Sequence, residues 1–145
     1  MNNQNNEISG KSNGRMFSRD EFEFCVEMKE EYLKHYFKLT DDSNSLHYDS
    51  EVSSGTIFER PIMPGLVITG RIAGEVTKRF PLSVVTKTEI IFKKPLYMSE
   101  ITKVKVIVLE KNDKWASLSI EVRNESNEKA VFMTLELFFD VFKKR

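Results

Sequence analysis

The second half of the chain alternates apolar and polar side chains, which is the period of β-strands with one buried face. Residues 83–92 are rich in β-branched and aromatic side chains, and residues 101–109, 115–123 and 130–141 alternate almost without a break. Short polar segments at 112–114 and 124–128 separate the last three of these stretches. The pattern predicts a meander of long antiparallel strands.

The first half predicts one further strand and one short helix. Phe22, Phe24 and Val26 alternate with glutamates, as in a half-buried strand. Residues 29–39 carry aromatic and aliphatic side chains at helical spacing, which predicts an amphipathic helix. Residues 41–56 are polar and rich in turn formers, so we expect a loop there with one helical turn around His47.

A longer helix is predicted from Gly65 to about Arg79, since Pro64 is tolerated at a helix start. Its apolar stripe includes Leu66 and Ile72, and the small residues Gly70 and Gly74 would let it lie close against a sheet. The predicted fold class is therefore α+β, with a long antiparallel sheet wrapped around one central helix. Residues 1–15, rich in Asn, Ser and Gly, are predicted to be a disordered tail, and residues 16–145 a single domain.

The composition of the chain argues against several classes of function. The chain has 145 residues with 22 Lys plus Arg and 22 Asp plus Glu, and this zero net charge argues against nucleic-acid binding. Cys25, the single cysteine, excludes an internal disulfide, and its apolar neighbours predict a core position. With only His35 and His47 present, we expect no metal site. No apolar run approaches the length of a membrane span, so we expect a cytoplasmic protein that does not bind membranes.

Candidate chemistry is concentrated between residues 39 and 66. Asp42 precedes His47 by five residues, and Gly65 follows at a predicted helix start. An imidazole exchanges protons near neutral pH, a carboxylate can orient it, and a helix N-terminus offers N–H groups to an oxyanion. Asp49 is interpreted as a cap or turn residue, and His35 as a surface or packing residue of the first helix.

Three segments resemble motifs of one known family. Residues 42–47, with the sequence DSNSLH, resemble the D-x-N-P-x-H motif of MaoC-like hydratases and dehydratases. Residues 58–66, FERPIMPGL, resemble the F-x-x-P-I-x-H-G-M segment of that family, at a similar distance along the chain. Residues 92–96, FKKPL, resemble its F-x-x-P-V strand end.

The resemblance implies a hot-dog fold and homodimers, or dimers of dimers, whose sheets join edge to edge. It also implies reversible addition of water to a trans-2-enoyl thioester of coenzyme A or acyl carrier protein, giving an (R)-3-hydroxyacyl thioester. Carried over, Asp42 and His47 activate the water and exchange the proton, Gly65 donates its N–H to the thioester carbonyl, and Asn44 supports the loop. No cofactor is implied beyond the carrier that forms part of the substrate.

The chain departs from the family motifs at three positions. Ser45 stands where the first motif has Pro, Pro64 where the second has His, and Ala73 where some hydratases have a serine. Two alternatives therefore remain beside the hydratase: an acyl-thioester hydrolase, and an acyl-thioester-binding protein without turnover. Arg60, Lys78, Arg79, Lys93 and Lys94 are candidates for contact with coenzyme A phosphates, although most such charges are solvated.

Overall fold

The computed structural model describes residues 20–142, and it contains five strands and three α-helices. The strands are β1 (Glu21–Glu27), β2 (Val84–Phe92), β3 (Ile101–Lys111), β4 (Trp115–Arg123) and β5 (Lys129–Phe138). The helices are α1 (Glu30–Thr40), α2 (Ser50–Ser54) and α3 (Gly65–Arg79), with a 3₁₀ turn at Ser45–His47. The predicted tail at residues 1–15 lies outside the described residues, and the extent of the domain stays a prediction.

All strand pairs are antiparallel, and the sheet order is β1-β3-β4-β5-β2. The predicted meander is correct for β3, β4 and β5 but wrong for β2, which pairs with β5 at the far edge of the sheet. Alternation identifies a strand but does not identify its neighbour, and β2 is exposed along nearly its whole length.

The core lies between α3 and the inner face of the sheet, as predicted. Every second residue of β4 is buried there, as is every second residue of β3 up to Val108, and Ile68, Ile72 and Val76 of α3 belong to the same apolar cluster. Fully burying a side chain such as Ile72, 0% exposed, contributes about 1.5–3 kcal/mol. This packing fixes α3, and with it the position of Gly65 at its first turn.

Three local predictions were wrong. Cys25 is exposed on the outer face of the sheet, because it alternates in phase with Glu23 and Glu27 rather than with Phe24. Leu66 is 63% exposed and does not belong to the buried stripe of α3. Gly70 and Gly74 face away from the sheet, since a Cβ at either position would meet no atom within 4 Å.

The expected elements of the first half are present, and α2 adds a short helix within the predicted loop. Asp49 caps α2, accepting hydrogen bonds from the N–H groups of Glu51 and Val52, and His35 is exposed on α1; both interpretations are confirmed. Within residues 20–142, no helix is long and apolar enough to cross a lipid bilayer.

Candidate active site

His47 is the last residue of the 3₁₀ turn, and its side chain is almost completely buried. Its Nδ1 lies 2.9 Å from the carbonyl oxygen of Ile62. Because a carbonyl oxygen only accepts, Nδ1 carries the proton of the neutral imidazole, and Nε2 is left as an acceptor. The N–H of Ile62 donates in return to the carbonyl of Leu46 at 3.0 Å. These two bonds hold the ring in one orientation and one tautomer.

Asp42 follows the C-cap of α1, Asp41, whose left-handed backbone (φ 55°) turns the chain toward His47. Oδ2 of Asp42 lies 3.9 Å from Nε2 of His47. This distance is too long for a direct hydrogen bond, but both atoms can lie about 2.8 Å from one water oxygen. The two acceptors are therefore arranged to hold a water molecule between them.

The Asp42 carboxylate is also held from its other sides. Oδ1 accepts a hydrogen bond from the backbone N–H of Asn44 at 3.0 Å, and Oδ2 accepts one from the hydroxyl of Tyr36 at 2.9 Å. The Asn44 N–H first, and then the Tyr36 hydroxyl, hold the pKa of Asp42 below its ordinary value, against a smaller opposing effect of burial. Asp42 is consequently an ionised acceptor at neutral pH.

Asn44 joins the two ends of this motif. Its side-chain oxygen accepts a hydrogen bond from the N–H of Leu46 at 3.1 Å and so caps the 3₁₀ turn. Its carbonyl oxygen accepts from the N–H of His47, also at 3.1 Å. Because its own N–H binds Asp42, one residue fixes both the carboxylate and the turn that carries the imidazole.

Gly65 begins α3, where the N–H groups of the first turn have no partner within the helix. Among residues 20–142, no hydrogen bond uses the N–H of Gly65. Gly65 and His47 line one pocket of about 290 Å³. The other residues that line the pocket are mostly apolar and include two lysines. They are Phe58, Ile62, Met63, Ile68, Phe92, Lys93, Lys94, Pro95 and Leu96.

The fit of Phe92 against Gly65 explains why this position lacks a side chain. A Cβ added to Gly65 would lie 2.4 Å from Cζ of the Phe92 ring and 2.6 Å from Cε1. The backbone of Gly65 does not require glycine, since no glycine in the described residues has positive φ. The aromatic ring thus covers the start of the helix, and a side chain at position 65 would displace the ring.

The four predicted site residues lie close together, but they do not all line the same pocket. Asp42, Asn44 and His47 form one hydrogen-bonded turn, and Gly65 shares the pocket of His47, whereas Asp42 lies on an adjoining hollow beside Phe37 and Tyr48. The hydrogen bond from the hydroxyl of Tyr36 to Asp42 is not predicted by the sequence pattern. The available signal is a tyrosine about one turn before the end of the helix that leads into the motif.

The three residues that depart from the family motifs lie at ordinary positions in the turn and in α3. Ser45 begins the 3₁₀ turn, Pro64 is the buried N-cap of α3, and Ala73 is half-buried on α3. Among the described residues, no group of three His, Cys, Asp or Glu side chains could hold a metal ion.

Solved structures share this fold. An (R)-hydratase from A. caviae involved in PHA biosynthesis superposes with a TM-score of 0.74 at 22% identity, covering 81% of this chain and 92% of that chain. The R-hydratase PhaJ1 from Pseudomonas aeruginosa also gives 0.74, at 21% identity, over 83% of this chain and 79% of that one. At such identities the similarity concerns the fold, and it confirms the predicted hot-dog architecture.

Sequence comparison identifies the family. The mitochondrial 3-hydroxyacyl-[acyl-carrier-protein] dehydratase FERN of Solanum lycopersicum is 30% identical over 65 residues, which are 45% of this chain and 39% of that protein. The match thus spans well under half of the curated relative. The pattern of the MaoC like domain covers residues 18–130, most of the chain and every residue of the site. The chain therefore belongs to the MaoC like domain family.

Proposed function

We propose that this protein is a hydratase or dehydratase that adds water reversibly to trans-2-enoyl thioesters and forms (R)-3-hydroxyacyl thioesters. One observation carries the proposal: two acceptors, Oδ2 of Asp42 and Nε2 of His47, lie 3.9 Å apart beside a pocket that also contains the start of α3. Membership of the MaoC like domain family supports it, and so does the similarity to the 3-hydroxyacyl-[acyl-carrier-protein] dehydratase of Solanum lycopersicum.

In the proposed reaction, Asp42 and His47 hold the attacking water. The water oxygen bonds to the β-carbon while Nε2 of His47 takes one of its protons. The electrons of the double bond move toward the thioester carbonyl, and the N–H of Gly65 stabilises the resulting enolate oxygen. The α-carbon then takes a proton from the His47 imidazolium, which restores the neutral ring. Dehydration follows the same steps in reverse.

Asp42 and His47 have different roles in this proposal. The pKa of Asp42 is held low by the N–H of Asn44 and the hydroxyl of Tyr36, so the carboxylate orients the water and remains ionised. The imidazole carries the proton, because its fixed tautomer presents a free Nε2 to the water. Asn44 keeps both groups on one turn.

The carrier of the acyl group, coenzyme A or acyl carrier protein, would lie at the lysine-bearing part of the pocket. Lys93 and Lys94 both line the pocket, and Lys94 also pairs with Glu128. Both carriers hold the thioester on a phosphate-bearing arm, which Lys93 can meet as a cation. The proposed reaction uses no resident cofactor, since the carrier is part of the substrate.

We further propose that two copies join through β2, as a homodimer or as part of a dimer of dimers. Within the described residues β2 pairs only with β5, and Val84, Val85 and Ile91 of β2 are 39–55% exposed. An edge strand with apolar side chains is a template for another strand. Sedimentation equilibrium tests this proposal, because a protein that stays monomeric at all concentrations contradicts it.

The experiment for the reaction is a panel of enoyl thioesters of different chain lengths, on both carriers, followed by mass spectrometry. We expect products heavier by one water. His47→Ala should lower the rate at least about 100-fold, because it removes the general base. The matched control is His35→Ala, which removes an exposed histidine of α1 and should leave the rate unchanged.

The alternatives give different products in the same experiment. Release of free thiol and carboxylic acid would identify a hydrolase, and binding of the thioester without any product would identify a non-catalytic protein. Equal hydration by wild type and His47→Ala would refute the assignment of His47.

A further inference from the structure

The hydroxyl of Tyr36 is directed at the carboxylate of Asp42 from the helix that precedes it. Tyr36 lies in the last turns of α1 and is half-buried. Its hydroxyl donates to Oδ2 at 2.9 Å, and this is the same oxygen that lies 3.9 Å from Nε2 of His47. The second oxygen is already bound by the Asn44 N–H. Both oxygens of Asp42 thus have a fixed donor before any substrate or water binds.

These two donors determine the plane of the carboxylate. The terminal torsion of an aspartate is broad, so one bond to Oδ1 would leave Oδ2 free to swing away from His47. A second donor on Oδ2, on a helix anchored in the core through Leu33, removes that freedom. Burial, and secondarily Asp42 itself, raises the pKa of Tyr36, so its phenol keeps the proton that it donates.

We infer that Tyr36 is a positioning residue for the hydration reaction, holding Oδ2 of Asp42 toward the water shared with His47. The inference rests on the proposed function. Asp42 has further neighbours that titrate or carry charge. Asp41 precedes it and Tyr48 shares its hollow, while His35 and Arg71 line the groove on the other side of Tyr36. None of these four donates to the Asp42 carboxylate among the hydrogen bonds of residues 20–142.

The test is Tyr36→Phe, which keeps the ring and removes the hydroxyl. We expect kcat/KM at neutral pH to fall about tenfold with KM nearly unchanged, by analogy with the loss of a hydrogen-bond partner that orients a metal ligand in other enzymes. The lower part of the acid limb of the kcat/KM profile, at which the Asp42 carboxylate takes up a proton, should move to higher pH, because the carboxylate loses a donor that favours its ionised form. A purely structural tyrosine would lower stability without moving that limb.

The matched control is Tyr48→Phe in the same loop. The Tyr48 hydroxyl donates to the carbonyl oxygen of Ser43 at 3.2 Å and not to Asp42. The Tyr48→Phe variant should therefore have the same acid limb as wild type. A Tyr36→Phe enzyme whose acid limb coincides with that of wild type would overturn the inference while leaving the hydratase in place. A wild-type protein that turns over no thioester would instead overturn the proposed function, and this inference with it.

Discussion

Replacing Gly65 by alanine tests the packing of Phe92 over the start of α3. The new Cβ would lie 2.4 Å from Cζ of the ring, while ordinary contact begins at 3.4 Å, so the ring must move by 3.4 − 2.4 = 1.0 Å. Phe92 is 50% exposed, and the contact is made by the tip of its ring, so the ring can move toward solvent. We expect a loss of about 1–2 kcal/mol in the free energy of unfolding, at the lower end for overpacking.

The assay is urea denaturation at one fixed protein concentration, since oligomerisation contributes to apparent stability. In the Phe92→Ala background, Gly65→Ala should leave the free energy of unfolding unchanged. The double-mutant cycle should therefore give a coupling free energy of about 1–2 kcal/mol between the two positions, which measures the clash. Gly74→Ala is the matched control: nothing lies within 4 Å of its Cβ, and it should stabilise by about 0.5–1 kcal/mol. A Gly65→Ala protein as stable as wild type, with no coupling to Phe92, would refute the reasoning.

Three further predictions concern the loop, the acid and the pocket. Asp49→Ala should destabilise the protein by about 1 kcal/mol in urea, because it removes the cap of α2, and an unchanged midpoint would contradict this. The hydrogen bond from the N–H of Asn44 is the main reason why the pKa of Asp42 is lower in the folded protein than in the unfolded chain. The Asp42 carboxylate therefore stabilises the fold above its unfolded pKa of about 3.9, and this stabilisation is lost as the pH falls through the lower folded value. The stability difference between wild type and Asp42→Asn should therefore shrink from about pH 6 to about pH 3, and a constant difference would count against it. Because the pocket has a volume of only about 290 Å³ and is lined by the buried side chains of Met63 and Ile68, kcat/KM in a competitive mixture should be higher for a butenoyl than for a dodecenoyl thioester, and the reverse order would contradict this.

Periodicity predicted the elements of this fold well, because each buried face repeats at the spacing of its own secondary structure. Strand β4 was predicted at its observed bounds, and α3 was predicted to begin at Gly65. The partner of β2 could not be predicted in this way. Its residues are mostly exposed on both faces, so its pattern carries no information about which strand lies beside it.

The site was predictable where backbone and side chain act within one short segment. The spacing of Asp42 and His47 is bridged by Asn44, so the turn brings these residues together through local hydrogen bonds. The contacts from elsewhere were not predictable: the Ile62 carbonyl that fixes the imidazole comes from 15 residues away. The core position predicted for Cys25 was wrong although the sequence held the information to avoid it, since the alternation of β1 places Cys25 on the outer face.

The order of strands in the sheet has a consequence for how the protein is made. Strand β1 pairs with β3, and β2 pairs with β5, so in the described residues both β1 and β2 are synthesised well before their partners. Such long-range pairing folds slowly and leaves apolar edges open during translation. A chain that stops before residue 129 lacks the strand joining β4 to β2. Strand β5 therefore links the two parts of the sheet, and a stop before this strand should yield an aggregating product in place of a smaller folded one.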